Sequence, residues 1–242
     1  MGERLLTRFL RWFRARRMRG FQRRFRITAT TRILDVGGTP FNWDLLHERP
    51  RVTILNLPRA LEPADEQAIT FVAGDGCRLP FRDRSFDLVF SNSVIEHLGA
   101  AEQQAAFASE VARVGAGYYV QTPNRRFPVE QHLFTPLLHW LPRRWQRTIA
   151  RRFTVWALVV QPSPDRWAYY IEHYLNEVRL LDARSLQALF PGAELHRERL
   201  LGLAKSLIAV RIPTAVPPAR HRDRHQNAVN GPTNAAGRTG PA

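Results

Sequence analysis

A glutamate and a histidine stand side by side at Glu96 and His97, within the segment SNSVIEHL. An imidazole changes charge near neutral pH, so His97 can accept a proton from a reacting group while Glu96 orients its ring. The same residue types serve equally well to cap a helix or to complete a structural hydrogen bond. The pair is therefore a candidate for acid-base chemistry, with a structural role as the alternative.

Two further glutamate-histidine pairs lie later in the chain. Glu130 and His132 belong to TPNRRFPVEQH, and Glu172 and His173 belong to YYIEHYLNE. The first pair is a candidate for substrate contact, although a plain loop explains it as well. The second pair suits the surface of a helix. Of these four residues, only His132 is a candidate catalytic residue.

The segment RILDVGGTPFNWDLL has the pattern of a strand, a glycine turn and a helix. Asp35 ends the strand, and Gly37 and Gly38 allow a tight turn and a close backbone approach to a ligand. The three-glycine spacing G-x-G-x-x-G, which grips a pyrophosphate, is missing. The pattern therefore predicts a ligand site at the turn without indicating a dinucleotide.

Basic charge is concentrated at the two ends of the 242-residue chain, whose formal net charge is +15. Residues 1–26 hold ten arginines and one glutamate, and residues 211–242 hold five arginines and one aspartate. Basic ends bind phosphates without sequence preference. The nearly neutral body, however, lacks a basic stripe, and no RNA-binding motif is present. We therefore do not expect nucleic acid to be the main partner.

Residues 1–26 project as a basic amphipathic helix. Apolar side chains from Leu5 to Phe13 share one face, and arginines from Arg4 to Arg14 share the other. Such a helix can lie on an anionic membrane, or it can pack its apolar face on the domain. No run approaches the roughly 18 apolar residues of a membrane span, and no secretory signal is evident. We expect a cytoplasmic protein that can lie peripherally at the inner face of the membrane.

From Arg32 onward, short β-rich runs alternate with helical runs, which predicts an α/β fold with a doubly wound, mostly parallel sheet. Residues 27–212 are predicted to form this domain, interrupted at 125–180 by an α-rich insertion after the fifth strand. Residues 213–242, rich in Pro, Ala, Asn and Gly, are predicted to be disordered. We place strands at 32–36, 51–56, 69–73, 86–91, 116–121, 193–200 and 204–211, and helices at 41–48, 60–67, 101–113 and 183–190.

These pieces resemble the class I S-adenosylmethionine-dependent methyltransferases, in the branch known as methyltransferase type 11. The resemblance covers residues 30–124, and more loosely 183–211. It rests on the motifs ILDVGGT, GDGCRLPFRDRSFDLVFSNSVIEHL and YVQTPN. It implies a Rossmann-like fold, methyl transfer as the activity and S-adenosylmethionine as the cofactor, with the methionine end of the cofactor at the glycine turn.

The resemblance also implies cofactor contacts for particular residues. Asp35 would orient the glycine turn or meet the ligand's ammonium, and Asp75 would accept from the adenine amine. A backbone N–H of Gly76 or Cys77 would reach an adenine ring nitrogen. Asn56 stands where most of the family has Asp or Glu, which predicts a weaker contact with the ribose hydroxyls. The expected cofactor-binding residues are Asp35, Gly37, Gly38, Asn56, Asp75, Gly76, Cys77, Ser91 and Asn92.

The segment after the fourth strand would lie beside the transferring methyl group. His97 would then be the catalytic base, with Glu96 as its orienting partner and His132 as a further candidate. A similar Glu-His pair occurs in the O-methyltransferases of ubiquinone synthesis, where an acidic residue three positions before the glutamate helps to bind a metal. Ser93 occupies that position in this chain, so no metal is expected.

The acceptor is defined less closely than the cofactor. The insertion mixes Leu, Phe and Trp with arginine, which favours a small hydrophobic acceptor, lipid-like or quinone-like, at a membrane surface. Other small metabolites remain open. RNA methylation is one alternative function, and a binding module that has lost methyl transfer, suggested by Asn56, is another. The sequence predicts neither the acceptor atom nor the oligomeric state.

Overall fold

A computed structural model describes residues 2–46, 48–58 and 69–213, and within the first helix it describes the side chains from Arg11 onward. The predicted helix at 60–67 and residues 214–242 of the predicted tail lie outside the described residues. The helices are α1 (Gly2–Phe25), α2 (Ala101–Val114), α3 (Arg143–Ala150), α4 (Val155–Val160), α5 (Pro164–Glu177) and α6 (Ala183–Leu189). The strands are β1 (Arg32–Val36), β2 (Arg51–Asn56), β3 (Ile69–Ala73), β4 (Phe86–Asn92), β5 (Gly115–Pro123), β6 (Glu194–Leu200) and β7 (Leu203–Arg211).

These strands form one sheet in the order β3-β2-β1-β4-β5-β7-β6. The strands from β3 to β5 are parallel, and β7 runs antiparallel to both β5 and β6. The order reverses between β1 and β4, and a crevice for a ligand opens beyond the carboxyl ends of the strands at such a point. The predicted strands and the Rossmann-like sheet are confirmed.

The sheet is buried on both faces. Ile33 and Leu34, neighbours on β1, are fully buried and point to opposite faces of the pleat. Leu34 shares its core with Phe107 of α2, and Ile33 shares the opposite core with Phe21 of α1 and with Trp43. Burial on both faces explains why the strand reads as an uninterrupted apolar run instead of alternating with polar residues.

The helix predicted at 41–48 is wrong in type and length, since the chain forms a 3₁₀ helix at Pro40–Leu45. Pro40 stands in its first turn, and Thr39 makes no side-chain capping bond. Trp43 is buried in the core and donates its indole N–H to Asp35. Because this anchor holds the segment against the sheet and the chain must reach β2 at Arg51, only a short helix fits between them.

The other described helices follow the prediction. α2 and α6 match the predicted 101–113 and 183–190 to within one residue. The stretch 125–180 contains α3, α4 and α5 between β5 and α6, as an α-rich insertion should. Within the three described ranges of the chain, no helix has both the length and the apolar character needed to cross a bilayer.

The second half of α1 is part of the core. The Phe21 ring packs 5.0 Å from the ring of Phe90 and 5.2 Å from that of Tyr119, measured between centroids. Phe13 is buried as well, whereas its neighbour Trp12 is 51% exposed. The packing alternative therefore holds for the described half of the helix, and membrane contact by its first half stays a prediction.

Substituting Phe21→Ala should destabilise the fold by about 3–5 kcal/mol, because it opens a cavity between α1 and the sheet. Trp12→Ala is the matched control on the same helix, and we expect it to change stability by less than about 0.5 kcal/mol. Urea unfolding of the two variants measures the difference. Equal losses would show that α1 is held by something other than the Phe21 contacts.

Candidate functional site

The glycine turn after β1 is built so that neither glycine can be replaced without movement. Gly37 has a φ of +74°, and a Cβ on it would lie 2.6 Å from Cγ2 of Val94. A Cβ on Gly38 would lie 1.8 Å from Oδ2 of Asp35. Gly37 also donates its N–H to the carbonyl of Leu55 at 2.8 Å, which ties the turn to β2. The predicted turn is therefore present, packed over the Asp35 carboxylate.

Asp35 is fully buried beneath this turn. Its Oδ2 accepts the indole N–H of Trp43 at 2.8 Å, while its Oδ1 has no hydrogen-bond partner among the described residues. Burial raises the pKa of Asp35 to about 7, although the bond from Trp43 acts in the opposite direction. A buried oxygen without a partner is unusual in a folded protein, and it suits a cationic or donating group of a ligand at the turn.

Asn56 ends β2 and is already engaged in the turn. Its Nδ2 donates to the carbonyl of Gly38 at 3.3 Å, and its Oδ1 accepts from the N–H of Leu57 at 2.9 Å. The amide retains one N–H and one acceptor position. Contact with ribose hydroxyls stays a prediction, and it would have to use the remaining N–H and acceptor position of the Asn56 amide.

Asp75 is exposed in the turn after β3. Its Oδ1 accepts the backbone N–H of Cys77 at 2.8 Å, so that N–H is used within the turn, and Gly76 is the other residue predicted to reach adenine. The thiol of Cys77 donates to the carbonyl of Gln103 at 3.4 Å. Burial and the neighbouring Asp75 charge raise the pKa of Cys77 to about 11, which keeps the thiol protonated.

Ser91 and Asn92, at the end of β4, are both bonded within the protein. Ser91 is fully buried and donates its hydroxyl to the carbonyl of Val36, 3.1 Å away on β1. Asn92 accepts a hydrogen bond from the guanidinium of Arg17 on α1. In the described structure, then, Ser91 holds the two strands together and Asn92 anchors the helix, and contact with a cofactor stays a prediction for both.

Arg17 is a site neighbour that sequence reasoning missed. Its side chain is only 8% exposed, and its Nη2 lies 2.5 Å from Oε2 of Glu198 on β6. Its Nη1 also donates to Oε1 of Gln121 on β5 at 3.2 Å. Nothing in the sequence sets Arg17 apart from the other arginines of residues 1–26.

The predicted catalytic residues meet in one place, together with Glu130 and His173. We call Glu96, His97, Glu130, His132 and His173 the histidine cluster. Nδ1 of His132 lies 2.6 Å from Oε1 of Glu130, and Nε2 of His132 lies 3.3 Å from Nε2 of His97. The rings of His97 and His173 stack with centroids 5.4 Å apart. The pair Glu172 and His173 is split, since Glu172 instead pairs with Arg151 on the surface.

Both carboxylates of the histidine cluster are fully buried. Glu130 accepts from the N–H of Leu133 at 2.5 Å through the oxygen that does not face His132. Glu96 accepts from the hydroxyl of Thr122 at 3.0 Å through Oε2. Its Oε1 and Nδ1 of His97 have no hydrogen-bond partner in the described part of the chain. The cluster therefore contains two buried polar atoms that could still bind a ligand.

The surroundings of His97 and His132 shift the pKa values of the two imidazoles in opposite directions. Burial, with His132 and His173 nearby, lowers the pKa of His97 to about 4. Burial also acts to lower the pKa of His132, but the hydrogen bond and charge of Glu130 outweigh it and raise that pKa. Burial raises the pKa of Glu96. At neutral pH, His97 is thus an uncharged imidazole with a lone pair available.

The histidine cluster lies next to the glycine turn. Val94 crowds the position where Gly37 would carry a Cβ, and Glu96 follows Val94 by two residues. Ser93, with a φ of +58°, reverses the chain here and donates its hydroxyl to Gln121 on β5 at 3.0 Å. His132 lies on the loop after β5, which places it in contact with His97. The glycine turn is therefore in contact with the segment that carries Glu96 and His97.

Comparison with known proteins gives a match to one family model. Residues 46–117 match the model described as a methyltransferase domain. The match runs from the end of the 3₁₀ helix after the glycine turn to the beginning of β5. It therefore includes β2 to β4, the Asp75 turn and the Glu96-His97 pair.

Curated relatives are similar over part of the chain. A probable tRNA methyltransferase 9B of Mus musculus is 27% identical over 121 residues, which cover 47% of this chain and 24% of the relative. An uncharacterized protein of Mycobacterium tuberculosis is 37% identical over 54 residues, which cover 22% of this chain and 18% of the relative. The matched segments thus span a quarter or less of these relatives.

Solved structures share the fold. A protein from Rhodobacter sphaeroides described as a Zn-dependent alcohol dehydrogenase superposes with a TM-score of 0.52 at 12% identity, covering 78% of this chain and 86% of that one. At this level of identity the likeness concerns the arrangement of strands and helices alone.

The buried Asp35 carboxylate should make stability depend on pH. Its pKa is about 7 in the folded state and about 3.9 in an unfolded chain. Between these values the folded state binds more protons, so this residue lowers stability progressively as pH rises from about 4 to about 7. Asp35→Asn cannot ionise, and relative to wild type it should gain up to about 4 kcal/mol across this window.

Urea unfolding at several pH values measures this difference. Asp44→Asn is the matched control, since Asp44 is exposed on the same 3₁₀ helix, and its stability should follow wild type at every pH. If Asp35→Asn also follows wild type throughout, the pKa of Asp35 is the same in the folded and the unfolded chain, and the expected shift is contradicted.

Proposed function

Because the chain carries the domain of the class I S-adenosylmethionine-dependent methyltransferases, we propose that it transfers a methyl group to a small hydrophobic or amphiphilic acceptor near a membrane surface. The observation that carries the proposal is the placement of the histidine cluster beside the glycine turn. A cofactor cradle and a set of proton-accepting groups then share one crevice.

The residues at the turn fit the cofactor. Gly37 and Gly38 form a turn that no side chain could replace without movement, and Oδ1 of Asp35 beneath it is a buried acceptor without a partner among the described residues. An ammonium, directly or through water, is the kind of group that this oxygen lacks. When bound, S-adenosylmethionine supplies an electrophilic methyl group. Asp75 and Asn56 are the residues proposed to hold its adenine and ribose.

Activation of the acceptor is assigned to the histidine cluster. An acceptor O–H or N–H loses its proton when its oxygen or nitrogen is methylated, so a group that stabilises the deprotonated form speeds the reaction. The cluster offers an uncharged His97 and a His132 held in place by Glu130. Most of the remaining work is alignment of the acceptor with the methyl group, which a rigid crevice provides.

A large cleft in the insertion adjoins the histidine cluster and supports an amphiphilic acceptor. Its volume is about 850 Å³, in the range of small-molecule sites. Tyr174 in its wall has its ring 6.1 Å from that of His132, and the N–H of Arg179, also in the wall, donates to the carbonyl of Glu96 at 2.7 Å. Apolar side chains and arginines line it together: Trp140, Leu141, Val178, Leu180, Arg125, Arg143 and Arg179.

The surface beside this cleft supports a peripheral location. Leu137, Trp140, Leu141 and Trp145 are all substantially exposed, next to the exposed arginines at the beginning of α3. Exposed aromatic and leucine side chains among arginines suit the interface of an anionic bilayer, where the rings enter the acyl boundary and the guanidiniums meet head groups. The first half of α1 is proposed to add to this surface.

A cofactor assay and a product assay test the proposal in sequence. Thermal unfolding with S-adenosylmethionine or S-adenosylhomocysteine at about 100 times the dissociation constant should show about 2.7 kcal/mol of added stability. Lipid extract and total RNA are then offered separately with methyl-labelled cofactor. Label in the organic phase supports the proposal, and the absence of any thermal shift at millimolar ligand contradicts it.

His97→Ala and His132→Ala should each lower methyl transfer by roughly 100-fold or more, the usual contribution of a group that handles the acceptor's proton. Cofactor binding should be unchanged, because neither residue belongs to the turn. His196→Ala on the edge strand β6 is the control, and its rate should match wild type. Loss of cofactor binding in the His97 variant would instead place that residue in the cradle.

RNA is the alternative acceptor, and two observations favour it. The mouse relative that matches 47% of this chain is described as a probable tRNA methyltransferase, and the net charge of +15 would hold a polyanion. Recovery of the label in RNA, together with RNA binding that weakens steeply as the salt concentration is raised, would support RNA as the acceptor and contradict a hydrophobic acceptor.

A further inference from the structure

We propose that Glu96, His97 and His132 bind a divalent transition-metal ion, with zinc as the best-suited ion. The role of this ion rests on the proposed function, because it would activate the acceptor group. The binding site itself is argued from the geometry of the three side chains. Two imidazoles and one carboxylate are a donor set that binds Zn²⁺ and leaves a position open for a substrate oxygen.

The spacing of the donor atoms fits an ion between them. One donor atom from each of the three residues lies within 4.8 Å of the others. The two Nε2 atoms are 3.3 Å apart. Two nitrogens bound tetrahedrally at Zn–N distances of about 2.0–2.1 Å are separated by about 3.3–3.4 Å. The imidazoles are thus already at the separation that one shared ion requires.

The residues around the donors hold them in the orientation a metal needs. Glu130 lies 2.6 Å from Nδ1 of His132, which places the ring proton there and leaves the lone pair of Nε2 directed at His97. A carboxylate behind a histidine ligand is a regular feature of zinc sites. Thr122 likewise holds one oxygen of Glu96. The other oxygen, in a fully buried side chain, has no partner among the described residues.

The donor set explains why the sequence did not predict a metal. Ser93, which stands where an acidic residue would be needed, has no carboxylate and donates its hydroxyl to Gln121. The third donor comes instead from the loop after β5, in His132, which lies 35 positions beyond His97. The ion would bind the acceptor's oxygen or nitrogen at its open position and lower the pKa of that group. The released proton would pass to solvent.

Metal binding can be measured without an acceptor or a cofactor. The full, tag-free chain is freed of metal with a chelator and titrated with ZnCl₂ by calorimetry, and with CoCl₂ by visible absorption. We expect one equivalent to bind, with the intense absorption bands of four-coordinate cobalt. Glu96→Gln and His132→Ala should each weaken binding by roughly 100-fold or more, and Glu130→Gln by roughly 10- to 100-fold. His196→Ala should bind like wild type.

The outcomes separate this inference from the proposed function. Failure of the wild-type chain to bind zinc or cobalt would overturn the inference and leave a direct hydrogen bond between the two imidazoles, as would equal binding by wild type and Glu96→Gln. Unchanged methyl transfer after complete chelation would overturn the role of the ion while methyl transfer stands. Stoichiometric binding that depends on Glu96 and His132, with no methylated product, would support the site and contradict the proposed function alone. Thermal unfolding of each apo variant confirms that it is folded.

Discussion

The pairing of β1 with β4 is the interaction on which both parts of the site depend. Ile33, Leu34 and Asp35 pair with residues 88–90 of β4, and the hydroxyl of Ser91 adds a bond to the carbonyl of Val36. Because these parallel strands end together, the glycine turn that follows one and the Glu96-His97 segment that follows the other emerge at the same edge. A shift of one residue in this register would send Asp35 to the other face and separate the turn from the cluster.

Much of this arrangement could be predicted from the sequence. Local patterns of apolar residues predict the strands, α2, α6 and the insertion. These patterns indicate which side chains are buried against the sheet. The 3₁₀ helix at Pro40–Leu45 could not, because its length is decided by the hydrogen bond from Trp43 to Asp35 and by the core around the indole. A periodic pattern carries no information about such an anchor.

The candidate site divides in the same way. Asp35, Gly37 and Gly38 lie within four consecutive residues, so the sequence motif alone predicts that they form one turn. The contact between His97 and His132 instead depends on how the chain leaves β5, and the stacking of His173 depends on how α5 returns across it. Arg17 could not be predicted for a related reason, since its partners Asn92, Gln121 and Glu198 lie on three strands that are distant in the sequence. These residues come into contact because the folded chain brings distant segments together, and their residue types alone do not indicate which of them meet.

The distribution of unsatisfied polar atoms connects stability with function. Asp35 and Glu96 are fully buried, and each has one oxygen bonded within the protein and one oxygen without a partner in the described residues. Burying such groups costs free energy unless something completes their bonding. One free oxygen lies under the glycine turn that follows β1, and the other lies in the histidine cluster, on the segment that follows β4. A ligand that completes these bonds would therefore gain affinity by satisfying the two oxygens.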